Sequence, residues 1–337
     1  MVEFFGTLPN GEISQLYTIS CGSLRAKVAD LGATLVQLFV PDRNGDLADV
    51  VLGYDEPAGY LQGTCYLGAT IGRNSNRVKN ACFVLDGKTW SMPANEGPNN
   101  LHSGPDGYDV RLWKVASHTE NAIKLTLHSP HGDQGFPGNA DISLTYTLEP
   151  DGLRISYEAV SDRDTVFNLT NHSYFNLAGH DHAEKAMAQL LTMPARFFNP
   201  ADSESIPTGE KRSVEGTPMD FRTPKPIGRD ITQDYDALNL QGGYDHNFEV
   251  YCNPAAVLAD PFSGREMAVY TDCPGVQFYS ANYTDEVGKG GARYPKRSAI
   301  CLETQFYPDS VNHPEWPQPI TKAGQKYRSE TKYRFSW

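Results

Sequence analysis

The sequence lacks the features that mark membrane, secreted and nucleic-acid-binding proteins. No run approaches the roughly 20 apolar residues that a membrane helix needs, and the first residues, from Met1 to Thr7, show neither the basic nor the apolar region of a secretory signal. Basic residues are outnumbered, 29 Lys and Arg against 41 Asp and Glu, which gives a net charge of −12. Binding to phosphates needs clustered basic side chains. We therefore expect a cytoplasmic protein that binds neither membrane nor nucleic acid and acts on a neutral or cationic small molecule.

The cysteines are few and follow no metal-binding or disulfide pattern. None belongs to a Cys-x-x-Cys pair or has Cys/His metal spacing; the six are Cys21, Cys65, Cys82, Cys252, Cys273 and Cys301. In a reducing compartment, scattered cysteines are mostly small buried hydrophobic residues. We expect neither a disulfide nor a metal site from this spacing.

The dominant pattern that is present is a period of two. Hydrophobic residues make up 39% of the chain and charged residues 21%, which is typical of a protein with a packed core. Residues 24–28, 123–127 and 153–157 alternate apolar and polar side chains, as a half-buried strand requires. This alternation predicts sheets with one solvent-facing side.

Turn signals separate many of these runs. Asn44-Gly45, Asp86-Gly87 and Asp151-Gly152 suit the positive φ angles of two-residue hairpin turns. With 30 Gly and 23 Pro spread along the chain, long helices have little room. Residues 181–191 are the one stretch where a short helix competes with a strand, and we predict a strand there.

No internal repeat, flexible linker or charge block divides the chain. We therefore predict an all-β fold, a large antiparallel β-sandwich that forms a single domain over residues 1–337. A pair of sandwich domains remains an alternative, because nothing in the middle of the sequence excludes it.

Two titratable residues lie in apolar surroundings. Glu303 follows the apolar residues Ile300, Cys301 and Leu302, and a carboxylate there is costly unless it is paired or used in chemistry. His172 lies in a stretch whose alternation favours burial, where a histidine can be catalytic or simply a hydrogen-bonded core residue. Each residue judged alone leaves both interpretations open.

Six short segments rich in polar and titratable residues lie along about 230 residues of the chain. They are Gly72-Arg73 with Asn76-Arg77, Asn100-Leu101-His102, Thr170-Asn171-His172-Ser173-Tyr174-Phe175-Asn176-Leu177, Tyr244-Asp245-His246, Thr271-Asp272 with Pro274-Gly275-Val276-Gln277-Phe278-Tyr279, and Leu302-Glu303-Thr304-Gln305 with Pro308-Asp309. Taken together and in this order, they resemble the aldose 1-epimerases, and the resemblance extends over nearly the whole chain.

The resemblance implies a site and an activity. Glu303 matches the family's general base and His172 its general acid. The expected substrate is a free monosaccharide such as galactose or glucose, whose α and β anomers are interconverted without a cofactor or a metal, by a monomer or a homodimer. The residues expected to contact the sugar are Asn76, Arg77, His102, Tyr174, Asp245 and Gln277.

The chemistry of anomer exchange needs few groups. One proton leaves the anomeric hydroxyl while another reaches the ring oxygen, and the same steps then run in reverse. A single base and a single acid suffice, each worth on the order of 10²–10⁴ in rate. We expect the Glu303 carboxylate to favour the protonated form of His172, and burial to raise the pKa of Glu303.

Four other functions use some of the same residues. A non-catalytic sugar-binding protein needs the polar residues but not the Glu303 and His172 pair, and a hexose-6-phosphate mutarotase needs extra basic residues for the phosphate. A glycoside hydrolase could use Asp245 and Glu303 as two carboxylates. A metal oxygenase could use His102, His172 and Glu303 as two histidines and a carboxylate.

Overall fold

The computed structural model describes residues 1–337, and thirty short and long β-strands form most of its regular structure. Strands β1–β10 are Val2–Thr7, Ile13–Cys21, Leu24–Ala29, Thr34–Pro41, Leu47–Asp49, Thr70–Ile71, Arg77–Val78, Cys82–Leu85, Lys88–Ser91 and Asn100–Leu101. Strands β11–β20 are Lys114–His118, Ala122–Ser129, Ala140–Glu149, Gly152–Ser161, Thr165–Val166, Thr170–Asn171, Tyr174–Phe175, Leu190–Thr192, Phe197–Asn199 and Arg212–Ser213. Strands β21–β30 are Lys225–Pro226, Asp245–Glu249, Ala256–Ala259, Glu266–Thr271, Gly275–Tyr279, Glu286–Val287, Arg293–Tyr294, Ile300–Gln305, Ile320–Thr321 and Lys326–Ser336.

Helical structure is short. The two α-helices are α1 (Pro57–Gln62) and α2 (Asp236–Gln241), and neither has the length and apolar character needed to cross a bilayer. Short 3-10 helices occur at Lys79–Ala81, Tyr108–Val110, Asp133–Gly135, Ala183–Ala188, Ile227–Arg229, Lys289–Gly291 and Ser310–Asn312.

Three antiparallel sheets carry the architecture. The largest has nine strands in the order β11-β12-β13-β14-β30-β24-β23-β18-β21, a second has six in the order β17-β28-β25-β22-β19-β20, and a third has five in the order β1 to β5. One hydrophobic cluster of 53 buried residues draws on all three sheets, with Leu38, Leu144 and Phe278 among its members. Complete burial of such a side chain is worth about 1.5–3 kcal/mol, so this cluster holds the sheets face to face. The predicted all-β sandwich is confirmed.

The alternation of apolar and polar residues in the sequence corresponds to a buried side and a solvent-facing side of the strands. In β14, Leu153, Ile155 and Tyr157 are buried, whereas Arg154 and Ser156 between them reach the surface. Arg154 donates to the Glu330 carboxylate of the neighbouring strand at 2.7 Å. The period of two therefore separates the core from solvent, as predicted.

Two of the local predictions need correction. Asp86 and Gly87 form the tight turn between β8 and β9 with φ angles of 52° and 73°, as expected, but the loop between β13 and β14 consists of Pro150 and Asp151. Gly152 already pairs within the sheet, and a Cβ on it would overlap the carbonyl oxygen of Tyr333. This glycine thus permits close strand packing and does not shape the turn.

The strand predicted over residues 181–191 is wrong for most of its length. Ala183–Ala188 forms a 3-10 helix, and only Leu190–Thr192 pairs as a strand. The alanines in this stretch offer little to a pleated surface, and only Ala186 of the helical turn is buried. Local helix preference therefore decides the conformation here.

Candidate active site

The register of the six-stranded sheet builds the floor of the site. Glu303 on β28 lies directly opposite Gln277 on β25, while Cys301 lies opposite Tyr279 and Tyr279 opposite Asp245 on β22. Residues directly opposite each other in a sheet point to the same side. Side chains far apart in sequence are thereby brought into two adjacent rows on one face.

Glu303 is a buried carboxylate with an unused oxygen. Only 2% of the residue is exposed, and no protein group hydrogen-bonds its Oε2 atom. Burial raises its pKa well above the usual value, and the nearby Asp245 carboxylate acts in the same direction. A buried polar atom without a partner is costly, so this carboxylate is suited to accept a hydrogen bond from a bound molecule.

His172 lies in the short connection between β16 and β17. Its peptide N–H donates to the carbonyl of Ala69 at 2.9 Å, and its ring stacks on Tyr174 with ring centroids 5.1 Å apart. Its Nε2 atom is 3.6 Å from Oε2 of Glu303, too far for a direct hydrogen bond but close enough for the two groups to act on two oxygens of one substrate carbon.

The protonation expected for His172 differs in the structure. Burial lowers its pKa to about 4, because the dry surroundings penalise an imidazolium. The expected rise in the pKa of Glu303 agrees with the structure. Desolvation thus favours the protonated carboxyl of Glu303 and the neutral imidazole of His172.

His102 faces the same space in a fixed tautomer. Its backbone has a φ of 56°, and its Nδ1 atom accepts the peptide N–H of Asn76 at 3.1 Å. Because a backbone N–H can only donate, Nδ1 holds a lone pair and the neutral ring carries its proton on Nε2. Burial lowers the pKa of His102 well below its usual value, with His172 and Arg77 acting in the same direction. His102 is therefore a neutral hydrogen-bond donor to the cavity.

The same tautomer bears on a metal site. Potential ligand atoms of His102, His172 and Glu303 lie within 4.8 Å of one another, so these three residues do form a cluster. A metal needs a free imidazole lone pair, whereas Nδ1 of His102 is committed to Asn76 and Nε2 bears the proton. The chemistry of this donor set fits a sugar hydroxyl better than a metal ion.

Arg77 is fixed at the side of the cavity by two acids. It lies on β7, opposite Leu101 on β10, and its Nε and Nη2 atoms donate to the two carboxylate oxygens of Glu96 at 2.6 and 2.8 Å. Burial opposes the charge of Arg77, but Asp245 and Glu96 outweigh that effect and its pKa is raised. Asp245 in turn accepts the Gln277 side-chain amide at 2.7 Å.

These residues surround a cavity of about 170 Å³. Drug-sized ligands occupy roughly 300–1,000 Å³, so a cavity of this size suits a single small molecule such as one sugar ring. Seven of the eight predicted site residues line the cavity, and Gln277 reaches it only through its hydrogen bond to Asp245. The seven are Asn76, Arg77, His102, His172, Tyr174, Asp245 and Glu303.

The sequence analysis missed half of the wall. Tyr279 lies two residues beyond Gln277 on the same strand, so the period of two could have placed it. Tyr66, whose ring centroid is 4.7 Å from that of His102, and Glu96 carry no local signal, because both reach the cavity from irregular segments. The seven missed residues are Thr64, Cys65, Tyr66, Glu96, Leu101, Tyr279 and Tyr283.

Comparison with known proteins identifies the family of this chain. A family model described as Aldose 1-epimerase matches residues 15–334. The chain is 41% identical to a galactose mutarotase from Bos taurus, with 98% of this chain and 97% of that protein covered, and 39% identical to an aldose 1-epimerase from Haemophilus influenzae, with 97% of each covered.

Solved structures show the same fold. An aldose epimerase homologue from C. elegans superposes with a TM-score of 0.89 at 32% identity, covering 96% of this chain and 99% of that one. A galactose 1-epimerase from Lactobacillus acidophilus gives a TM-score of 0.86 at 27% identity, covering 100% and 98%. Because the family model matches residues 15–334 and these relatives cover nearly the whole chain with the same fold, the chain belongs to the aldose 1-epimerase family.

Proposed function

We propose that this enzyme interconverts the α and β anomers of free galactose, with Glu303 as the general base and His172 as the general acid. The observation that carries the assignment is the pair itself. An unpartnered carboxylate oxygen and an imidazole nitrogen lie 3.6 Å apart, both buried, in a cavity of single-sugar size. The family supports an aldose as the substrate, and the names of the mammalian relatives support galactose as the first sugar to test.

The reaction follows from the two oxygens on the anomeric carbon. Glu303 takes the proton of the anomeric hydroxyl while His172 gives a proton to the ring oxygen, so that the bond between the anomeric carbon and the ring oxygen breaks. The product is the open-chain aldehyde. After rotation of the carbonyl group, the ring oxygen attacks its other face and both protons return, so the net proton count does not change.

A proton has to move between the two groups for this step. Burial favours Glu303 as the neutral acid and His172 as the neutral imidazole, but the active form has the proton on His172. Both forms have the same net charge, and a sugar hydroxyl that bridges the two groups can relay the proton, because at 3.6 Å they are too far apart for direct transfer. Sugar hydroxyls that hydrogen-bond to the carboxylate supply the solvation that burial removed, and this stabilises the ionised form.

The remaining residues would hold the sugar. Arg77, Asp245 and the Nε2–H group of His102 offer donors and acceptors that match hydroxyl groups. Tyr174 packs beside His172 and covers one side of the acid. We propose Asn76 and Gln277 as supporting contacts, the latter through the amide that orients Asp245.

The same proposal covers the cell compartment and the organisation of the chain. Six free cysteines without a disulfide framework are typical of a reducing compartment, which supports the cytoplasm. The cavity combines residues from the early strands, such as Arg77, with residues near the end, such as Glu303. We therefore treat residues 1–337 as one domain.

Polarimetry of freshly dissolved α-D-galactose and α-D-glucose tests the function directly. The protein is first treated with a chelator and freed of it, and a Glu303→Gln variant serves as the matched control. We expect the wild type to speed the decay to an unchanged final rotation, and the variant to remain near the uncatalysed rate. If the wild type accelerates neither sugar, the assignment is wrong and a sugar-binding role without catalysis takes its place.

A further inference from the structure

The cavity contains a single permanent cation, and that cation is already paired. Both oxygens of Glu96 bind the Nε and Nη2 edge of Arg77, and both residues line the cavity wall. The Glu96 side chain is 37% exposed, whereas that of Arg77 is only 12% exposed. The guanidinium therefore faces the cavity with one of its bidentate edges occupied by the protein's own carboxylate.

The backbone holds Glu96 at this position. Its carbonyl accepts the peptide N–H of Asn99 at 3.0 Å and its own N–H donates back to the Asn99 carbonyl at 3.2 Å, which closes a tight loop. Gly97 within this loop has a φ of 57°, a conformation that favours glycine. Glu96 thus approaches Arg77 from a fixed turn that precedes β10.

A count of charges shows that the wall is acidic. Three acidic side chains, Glu96, Asp245 and Glu303, line the cavity, and Arg77 is the one Lys or Arg among its lining residues. Glu96 is partly exposed and holds Arg77 with both carboxylate oxygens, whereas burial raises the pKa of Asp245 and of Glu303. Without Glu96 the wall would lose a carboxylate, and both bidentate edges of Arg77 would be open to a carboxylate or a phosphate.

We infer that Glu96 is a specificity-determining residue that restricts this site to uncharged aldoses, by occupying one of the two bidentate edges of Arg77 and adding a negative charge to the wall. This inference rests on the proposed mutarotase function and adds the substrate class to it. A sugar acid or sugar phosphate would have to displace Glu96 from Arg77 or bind Arg77 next to Glu96. Two anionic groups that share one guanidinium repel each other.

Galactose and galacturonate are the probes that test this role. The two sugars share the same ring and differ at C6, where galacturonate carries a carboxylate, and polarimetry follows the mutarotation of both. We expect the wild type to prefer galactose, and the kcat/KM for galacturonate to rise with added NaCl because salt screens the repulsion. In Glu96→Gln, we expect the ratio of kcat/KM for galacturonate to that for galactose to rise at least about tenfold.

Two further variants separate specificity from simple positioning of Arg77. Glu96→Asp keeps the charge and should keep the wild-type ratio. Glu149→Gln disrupts a different ion pair, with Arg154 on the outer surface of the nine-stranded sheet, and should leave the ratio unchanged. If Glu96 only positioned Arg77, the Gln variant would lose activity equally toward both sugars.

The outcomes distinguish this inference from the function on which it depends. A wild type that accelerates neither sugar would reject the mutarotase assignment itself. A wild type active on galactose, combined with an unchanged or lower ratio in Glu96→Gln, would reject the role of Glu96 alone. Glucose and glucuronate provide a second pair of probes that should show the same trend.

Discussion

The protein contains two buried pairs of a basic and an acidic side chain, and the two pairs are built in opposite ways. Lys289 and Asp49 are 2.6 Å apart with side chains 3% and 5% exposed, and the ammonium also donates to the carbonyls of Val36 and Val51 at 2.8 and 2.7 Å. His172 and Glu303 are as well buried but 3.6 Å apart, and Oε2 of Glu303 has no partner.

The two pairs differ in whether the protein satisfies their hydrogen bonds. All three N–H groups of Lys289 have a partner in the protein, although burial still lowers the pKa of Lys289. In the second pair Oε2 of Glu303 has no partner, and burial disfavours the charged forms of both groups. A pair whose hydrogen-bond donors are all satisfied stabilises the fold. A pair with an unpartnered atom is available to a substrate that completes its hydrogen bonds.

The largest effect should come from Glu303→Gln, which removes the base and keeps the side-chain volume. We expect kcat/KM for galactose to fall by about 10²–10⁴, with the midpoint of thermal unfolding unchanged or higher because a desolvated carboxylate is lost. Polarimetry and circular dichroism measure the two quantities. Glu249→Gln, a carboxylate of the same sheet that pairs with Lys211, is the matched control and should keep full activity. Normal turnover in Glu303→Gln would remove the base from the mechanism.

Lys289→Met should produce the opposite pattern. It leaves Asp49 buried without its cation, so we expect the free energy of unfolding in urea to fall by about 3–5 kcal/mol, while kcat of the folded enzyme stays the same. Adding Asp49→Asn should recover part of the loss, because the amide oxygen can still accept the peptide N–H of Leu38 as Oδ1 does now at 3.0 Å. A loss of kcat without a loss of stability would place this pair in the catalytic machinery.

A smaller effect is expected at the sugar-binding wall. Asp245→Asn removes a charge beside Arg77 but can keep the hydrogen bond to Gln277, so the fold should be unaffected. We expect KM for galactose to rise about tenfold, the loss of roughly one charge-assisted hydrogen bond, with kcat within about threefold of wild type. A kcat that falls as far as in Glu303→Gln would make Asp245 part of the proton-transfer machinery.

The mildest test uses pH. Because the pKa of His172 is lowered to about 4 and that of Glu303 is raised, the pair holds one proton from about pH 4 up to the raised pKa of Glu303. Below this window both groups are protonated and no base remains, so kcat/KM should decline as the pH falls toward 4. A decline centred at the usual histidine pKa would show that His172 is solvated in the working enzyme.

Much of this fold could be predicted because its signals are local. The alternation in β14 and the Asp86-Gly87 turn depend on neighbouring residues alone. Residues 183–188 departed from the prediction, since alanine-rich segments carry no clear period of two. The prediction for Gly152 failed for a different reason, because this residue packs against the backbone of β30, which is remote in sequence.

The same distinction between signals within the sequence and contacts made only in the fold applies to the site. Its motif residues could be predicted as a set because the resemblance spans the chain, and the structure brings Arg77, His172 and Glu303 to one cavity. Glu96 could not be predicted, since its contact with Arg77 depends on how the loop before β10 packs against β7. The lowered pKa of His172 could not either, because desolvation depends on every group packed around the ring.

The central claim is that Glu303 and His172 act as one proton-sharing unit. The most direct test is a double-mutant cycle on galactose with Glu303→Gln, His172→Gln and the double variant, all followed by polarimetry. Residues that act as a unit lose their function once, so we predict that the double variant is within about threefold of the slower single variant. Rate penalties that multiply in the double variant would show that the two residues act independently and would contradict this account.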